Sequence, residues 1–238
     1  MQITLAQIAP KLNKTNLQES IAIIEKVKDK SDLIVFPELS LSGYMLQDKL
    51  TEDAWSIEEL IPLIELSKEI DIVMGVALRD KSYFRNTALY FSDEKIIARH
   101  YKVHLPNYGM FEEARYFESG KSFESFTLQS KKISMVICED LWHENTHKDL
   151  KELNPDIIIA LVASPARGFS DEGLAIEDKW YEIIKKVAFE CSSKLLFVNR
   201  VGFEDGLGFW GGSCIIDEKG VIQEKLEHFK QEIKTFNI

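Results

Sequence analysis

Short apolar runs rich in β-branched residues recur along the chain, and they limit most strongly the folds that it can adopt. They occupy residues 3–8, 33–36, 72–78, 87–91, 96–101, 133–137, 157–162 and 195–198. Runs of this length and composition are typical of β-strands. Apolar positions at helical spacing predict helices between several of them, at residues 16–28, 57–70 and 176–191. The alternation predicts an α/β protein.

The run at residues 157–162 is apolar at every position, which favours a sheet covered on both faces. Residues 86–102 differ, because two runs flank the polar turn residues 92–95 and therefore predict an antiparallel hairpin. Mixed sheets follow. The 238 residues are 45% hydrophobic and contain no long linker, so we expect one domain over residues 1–238.

The charge balance excludes some classes of partner. Lys and Arg number 29 against 39 Asp and Glu, a formal charge of -10 that repels nucleic acid and anionic membrane surfaces. The N-terminal residues do not resemble a secretory signal, and no apolar stretch has membrane-spanning length. Three cysteines are too few for a secreted disulfide framework. We therefore expect a cytoplasmic protein.

Three predicted strands end on residues that carry chemistry. Glu38 follows a strand that Pro37 terminates, Lys102 leaves the strand at residues 96–101, and Cys138 directly follows the strand at residues 133–137. A cysteine between a strand and a helical turn is mounted as a nucleophile, and the helix dipole favours its thiolate. Singly, these residues are also typical of a solvated glutamate, a surface lysine and a buried thiol. Together they can supply a base, an oxyanion cation and a nucleophile.

The segments around these residues resemble a known family. Residues 36–44 (FPELSLSGY), 102–106 (KVHLP) and 137–142 (ICEDLW) look like the three catalytic signatures of the nitrilase, or carbon–nitrogen hydrolase, superfamily. The resemblance continues through residues 198–202 and 209–213. It implies a nitrilase-like α-β-β-α sandwich, a Glu38-Lys102-Cys138 triad without metal or organic cofactor, and a homodimer or larger homo-oligomer.

A narrower resemblance concerns the segment after the lysine. Residues 105–117 and 138–142 are similar to the glutaminase domain of glutamine-dependent NAD synthetases. That resemblance implies that Glu113 hydrogen-bonds within the site and balances Lys102. The pyrophosphate loop of a synthetase domain is not among the 238 residues, so we expect amide hydrolysis without ligation. A glutaminase subunit that supplies ammonia to a separate synthetase is the alternative.

The expected substrate is a small carboxamide, hydrolysed through a thioester with release of ammonia. Candidates for the pocket follow strand ends or adjoin the triad motifs: Tyr44, Tyr108, Glu139, Ser164 and Arg167. Arg167 is suited to a substrate carboxylate. A loop arginine exposed to solvent is an equally ordinary interpretation.

Two further motifs favour other functions. Residues 143–147 fit H-E-x-x-H, so a zinc hydrolase with His143 and His147 as ligands and Glu144 as base is one alternative, although no third ligand is evident. Residues 206–211 fit G-x-G-x-x-G, but a predicted strand follows instead of the helix that a dinucleotide needs. A binding protein that keeps the nitrilase fold without turnover is another possibility.

Overall fold

Two six-stranded mixed sheets pack face to face in the computed structural model, which describes residues 1–171 and 173–238. The first sheet has the order β16-β1-β2-β3-β4-β5 and the second the order β15-β14-β11-β8-β7-β6. The strands are β1 Gln2–Gln7, β2 Leu33–Val35, β3 Asp71–Asp80, β4 Tyr83–Ser92, β5 Lys95–Tyr101, β6 Ser125–Leu128, β7 Lys131–Ile137, β8 Ile157–Val162, β9 Phe169–Ser170, β10 Gly173–Leu174, β11 Lys194–Asn199, β12 Val201–Glu204, β13 Leu207–Trp210, β14 Cys214–Ile216, β15 Ile222–Lys225 and β16 Glu232–Asn237.

Helices cover the outer faces of both sheets. The α-helices are α1 Asn16–Val27, α2 Leu50–Asp53, α3 Ile61–Leu66, α4 Glu113–Tyr116, α5 Glu144–Leu153 and α6 Ala175–Cys191. Short 3-10 helices lie at Lys28–Lys30, Gln47–Lys49, Glu58–Leu60 and Cys138–Trp142. The first sheet packs against α1 and α3, and the second against α5 and α6. The predicted α-β-β-α sandwich with mixed sheets is confirmed.

Strand β8 shows why a continuous apolar run suits this architecture. Ile157, Ile159 and Leu161 belong to the core between the sheets. Ile158 and Ala160 point the other way and pack under the helices. Since successive side chains alternate between faces, a strand covered on both faces needs apolar residues throughout.

The predicted hairpin is present, with β4 and β5 joined by a turn at Asp93 and Glu94. Both turn residues have positive φ, 48° and 57°, as a tight hairpin of the primed type requires. The glycine-rich segment at residues 206–211 forms part of a second hairpin, β12–β13. A strand and not a helix follows it, with Gly206 in the hairpin turn and Gly208 within β13.

The helix predicted over residues 57–70 is too long. The structure has a 3-10 turn followed by α3, with Pro62 in the first helical turn. The Ser67 hydroxyl then donates to the Ile64 carbonyl 2.6 Å away as the helix ends. The charged C-terminal segment contributes β16, which pairs antiparallel with β1. In the described part of the chain, no helix is long and apolar enough to cross a membrane.

Candidate active site

Glu38 lies in a tight turn directly after β2. The turn packs against β3 at Gly75, where a Cβ atom would come within 2.3 Å of the Pro37 carbonyl oxygen and 2.5 Å of the Leu39 nitrogen. Only glycine permits so close an approach of the two backbones. Leu39 itself has a positive φ of 48°. The turn thus directs the Glu38 carboxylate inward, where 1% of the residue is exposed.

Lys102 follows β5 and is fully buried. Its backbone N–H donates to the Asn86 carbonyl on β4 at 2.9 Å, which extends the ladder by one residue. The Asn86 side-chain amide donates to Glu38 Oε1 at 2.8 Å. Asn86 therefore positions both the lysine and the glutamate, a role that the sequence motifs did not reveal.

The Lys102 ammonium group bridges two carboxylates. Its Nζ atom lies 2.7 Å from Oε1 of Glu38 and 2.7 Å from Oε1 of Glu113. The second Glu38 oxygen accepts the Ala163 backbone N–H at 2.9 Å, and Tyr44 donates its hydroxyl to Glu113 at 2.5 Å. The resemblance implied the Glu113 contact, and the structure contains it.

The charges of this cluster set its protonation. Burial acts to lower the pKa of Lys102, but Glu113 and Glu38 outweigh it and hold the pKa well above its usual range. Burial raises the pKa of Glu113 to about 7, against the opposing charge of Lys102. A buried cation needs compensating charge, and the two carboxylates supply it, so Lys102 is a permanent cation. Glu113, the second of these carboxylates, can gain a proton near neutrality.

Cys138 begins the 3-10 helix that follows β7. Its φ of 44° is unusual for a residue other than glycine, and such strain concentrates at functional sites. Cys138 is partly exposed, whereas the other cysteines, Cys191 and Cys214, are buried. The charges of Glu38 and Lys102 both act on its thiol.

The structure corrects the expectation that the helix terminus makes Cys138 a thiolate. Burial and the Glu38 charge raise its pKa well above the usual range, although Lys102 opposes them. A 3-10 helix of five residues has too small a dipole to reverse this. The resting thiol therefore keeps its proton, and attack requires a base.

Asp140 joins the nucleophile turn to the segment after the lysine. The buried carboxylate accepts backbone N–H groups from Val103 at 3.0 Å and His104 at 2.9 Å on Oδ1. Oδ2 accepts the Ile137 N–H at 3.0 Å and lies 2.8 Å from His100 Nε2. Burial acts to raise the pKa of Asp140, but His100 and these N–H groups outweigh it and lower the pKa. Sequence reasoning missed this residue.

A cleft of about 380 Å³ opens beside the nucleophile. Its lining includes Cys138 and four of the predicted pocket residues, Tyr108, Glu139, Ser164 and Arg167. Tyr44, the fifth, instead lies behind the cleft against Glu113 and is 8% exposed.

Charged side chains of both signs line the cleft. The Tyr108 hydroxyl donates to Glu139 Oε2 at 2.9 Å, which orients that carboxylate. The Cζ atom of Arg167 lies 5.4 Å from the centroid of the Phe111 ring. Lys179 of α6 also lines the cleft. Within residues 1–171 and 173–238, neither cation forms an ion pair. Lys179 was not predicted, because its helix is distant in sequence from the triad motifs.

The two histidines of the H-E-x-x-H motif are engaged elsewhere. His143 stacks on His104 with ring centroids 3.7 Å apart, and its Nε2 atom lies 3.7 Å from Glu139. His147 is buried, with Nε2 hydrogen-bonded to the Leu141 carbonyl at 2.7 Å. Of the residues described, no three His, Cys, Asp or Glu form a group that could hold a metal ion.

Comparison with known proteins identifies relatives of the whole segment. Residues 2–238 match the family model for carbon-nitrogen hydrolases. Glutamine-dependent NAD(+) synthetase from Acinetobacter baylyi is 30% identical over 98% of this chain, which covers 43% of that protein. The chain thus spans less than half the length of such curated relatives.

Solved structures share the fold. Glutamine-dependent NAD+ synthetase from Acinetobacter baumannii, in complex with ADP, superposes with a TM-score of 0.87 at 29% identity, over 98% of this chain and 44% of that one. A carbon-nitrogen hydrolase from Helicobacter pylori G27 superposes with a TM-score of 0.88 at 23% identity, over 98% and 87% of the two chains.

Proposed function

The chain belongs to the carbon-nitrogen hydrolase family, and we propose that it hydrolyses the side-chain amide of a small amino acid or related carboxylic acid, with glutamine as the model substrate. The observation that carries this proposal is the buried Glu38-Lys102-Glu113 cluster behind a cleft lined by Cys138. A base, a permanent cation and a thiol nucleophile at one cleft are what acyl transfer from an amide requires.

In the proposed mechanism, Glu38 takes the proton of the Cys138 thiol as sulfur attacks the amide carbon. The tetrahedral oxyanion is stabilised by Lys102 and by a backbone N–H near Glu139. Glu38 returns the proton to the departing nitrogen, so ammonia leaves and a thioester remains. Water, deprotonated by Glu38, then attacks the thioester and releases the carboxylic acid and the thiol. No metal or organic cofactor enters this sequence.

The charges in the cleft support a zwitterionic substrate. Arg167 and Lys179, which form no ion pair with the described residues, offer cations to a carboxylate, and Glu139, oriented by Tyr108, offers an acceptor to an ammonium group. A cation left unpaired when the ligand lacks a carboxylate makes recognition selective. The names of the synthetase relatives, which are glutamine-dependent, agree with this choice.

Three substrates separate the contribution of the carboxylate from that of the amino group. Glutamine, glutaramate and pentanamide share the amide and the carbon chain, and lose first the amino group and then the carboxylate. We expect kcat/KM for ammonia release to fall at each step, by about tenfold or more for a lost charged partner. Arg167→Met should remove most of the preference for glutaramate over pentanamide, while Lys148→Met on exposed α5 leaves it unchanged.

Ammonia release from none of the three would remove the hydrolase proposal and favour a binding protein without turnover. Faster turnover of pentanamide than of glutaramate would leave the triad in place but overturn the proposed pocket.

A second candidate is a glutaminase subunit that supplies ammonia to a separate synthetase. The observation that favours it is the identity to NAD synthetases of which the chain spans less than half. Stimulation of glutamine hydrolysis by an added synthetase would support this role. The homodimer or larger homo-oligomer implied by the family resemblance and a cytoplasmic location remain part of the proposal, to be tested by light scattering and fractionation.

A further inference from the structure

Ser164 occupies a fixed place on the wall of the cleft. It follows β8, and its backbone N–H donates to Asn199 Oδ1 at 2.9 Å. The Asn199 side-chain amide in turn donates to the Gly211 carbonyl at 2.9 Å. The residue is 3% exposed, yet it lines the cleft together with the nucleophile. Its side chain therefore has little freedom of position.

The indole of Trp180 fixes the polarity of the Ser164 hydroxyl. Trp180 Nε1 lies 2.8 Å from Ser164 Oγ. An indole nitrogen can only donate, so the serine oxygen must be the acceptor in this pair. The serine proton must then be directed elsewhere. Among the described residues, no acceptor for it is present, and the cleft is the open direction.

The indole cannot easily turn away from this contact. Trp180 is 1% exposed and lies in α6. Its ring packs edge-on against Trp142, with centroids 5.2 Å apart, and at a tilt against Phe197, with centroids 5.3 Å apart. The hydrogen bond is thus built into the core beneath the cleft wall.

We propose that Trp180 is a positioning residue for substrate specificity, which holds Ser164 as a hydrogen-bond donor toward the carboxylate of the substrate. The inference rests on the proposed function for the identity of the ligand. A donor held in place selects an acceptor oxygen and disfavours an ammonium group at the same position. Because the bond from the indole also polarises the hydroxyl, it strengthens the donated bond.

The test is a double-mutant cycle in the Cys138→Ala protein, where binding is measured without turnover. Calorimetry follows glutaramate binding in the parent and in Ser164→Ala, Trp180→Phe and the double variant. We expect Ser164→Ala to weaken binding about tenfold and Trp180→Phe about three- to tenfold, as for loss or weakening of a bond to a charged group. The double variant should bind no more weakly than Ser164→Ala alone.

Trp210→Phe is the matched control. Trp210 is also fully buried, but its indole nitrogen has no hydrogen-bond partner among residues 1–171 and 173–238, so the same truncation changes packing alone. It should leave glutaramate affinity unchanged. Equal weakening by Trp210→Phe, additive effects of the two cleft substitutions, or no binding of glutaramate to the parent would overturn the inference. Ammonia release by the wild type is assayed separately, so failure of the hydrolase proposal remains distinguishable.

Discussion

The carboxylate of Asp140 accepts the backbone N–H of His104 at 2.9 Å, although 36 residues separate them in the chain. The same carboxylate accepts the N–H of Ile137, just before the nucleophile. One buried side chain therefore holds the lysine segment at a set distance from the cysteine turn. Such precision matters because small displacements of reacting groups cost large factors in rate.

Asp140→Asn should reduce kcat by about one to two orders of magnitude, because the amide nitrogen cannot accept the N–H groups that the carboxylate serves. Affinity for glutaramate in the Cys138→Ala background should change less than kcat. Asp149→Asn, an exposed change on α5, is the matched control. If Asp140→Asn lowered kcat and glutaramate affinity by the same factor, the result would indicate general misfolding.

Asp140→Asn should also change how the unfolding free energy depends on pH. The lowered pKa of Asp140 means that its stabilising contribution is present above the unfolded pKa, near 3.9. It is lost as pH falls through the folded pKa. The difference in unfolding free energy between wild type and Asp140→Asn should therefore shrink as pH falls below about 4. Urea titrations at pH 3, 5 and 7 measure this, and a constant difference would contradict it.

Cys138→Ala should abolish ammonia release, since the thiol is the proposed nucleophile. Cys191→Ala and Cys214→Ala should retain turnover because both thiols are buried outside the cleft. Steady-state assays of the three proteins, each checked by circular dichroism, decide the matter. Activity surviving in the Cys138 variant would refute the mechanism.

Lys102→Met should lower kcat by at least about 10²–10³-fold, because an oxyanion donor is lost. It also leaves Glu38 and Glu113 without their cation, at a cost of about 3–5 kcal/mol in unfolding free energy near pH 8. Since Glu113 then lacks the cation that opposes the rise in its pKa, stability should recover as pH falls and this carboxyl becomes protonated. Lys148→Met serves as the control. A rate within tenfold of wild type would make Lys102 merely structural.

Protonation of Glu113 should make kcat fall on the acid side of its pH profile. Its pKa is raised to about 7 by burial, so the carboxyl gains a proton as pH falls through that value. Protonation weakens the charge balance and the hydrogen bond at Lys102, so kcat should decline below pH 7. A raised pKa also makes this group's contribution to stability fall as pH rises from about 4.3 to 7. Glu113→Gln should be slower and should lack this fall in kcat; persistence of the fall would assign it elsewhere.

Chelators should leave ammonia release unchanged, because His143 stacks on His104 while His147 bonds to a backbone carbonyl. Assays before and after dialysis against 1,10-phenanthroline, with elemental analysis of the protein, measure this. Loss of activity that zinc restores would return the H-E-x-x-H motif to consideration.

The primary structure was sufficient to predict the layered α/β class and the three residues proposed for catalysis. The apolar residues on both faces of β8 require a sheet that is covered on both sides. Pro37 ends one strand and Cys138 follows another, so any fold of this class would place the residues beside them at a strand end. The prediction of the fold class is confirmed because it depends on periodicity and on nearest neighbours, while the three catalytic residues stay a prediction. The over-long helix at residues 57–70 shows the limit, since Pro62 and Ser67 allowed only a short helix there.

Tertiary structure decided what surrounds those residues. Asn86, Asp140, Lys179 and Trp180 reach the site from separate elements, and their sequence contexts are those of ordinary strand, turn or helix residues. The protonation of the cysteine was also decided there, because burial and the Glu38 charge outweigh the local helix terminus. Desolvation and charge act through space, so a pattern read along the chain does not contain them.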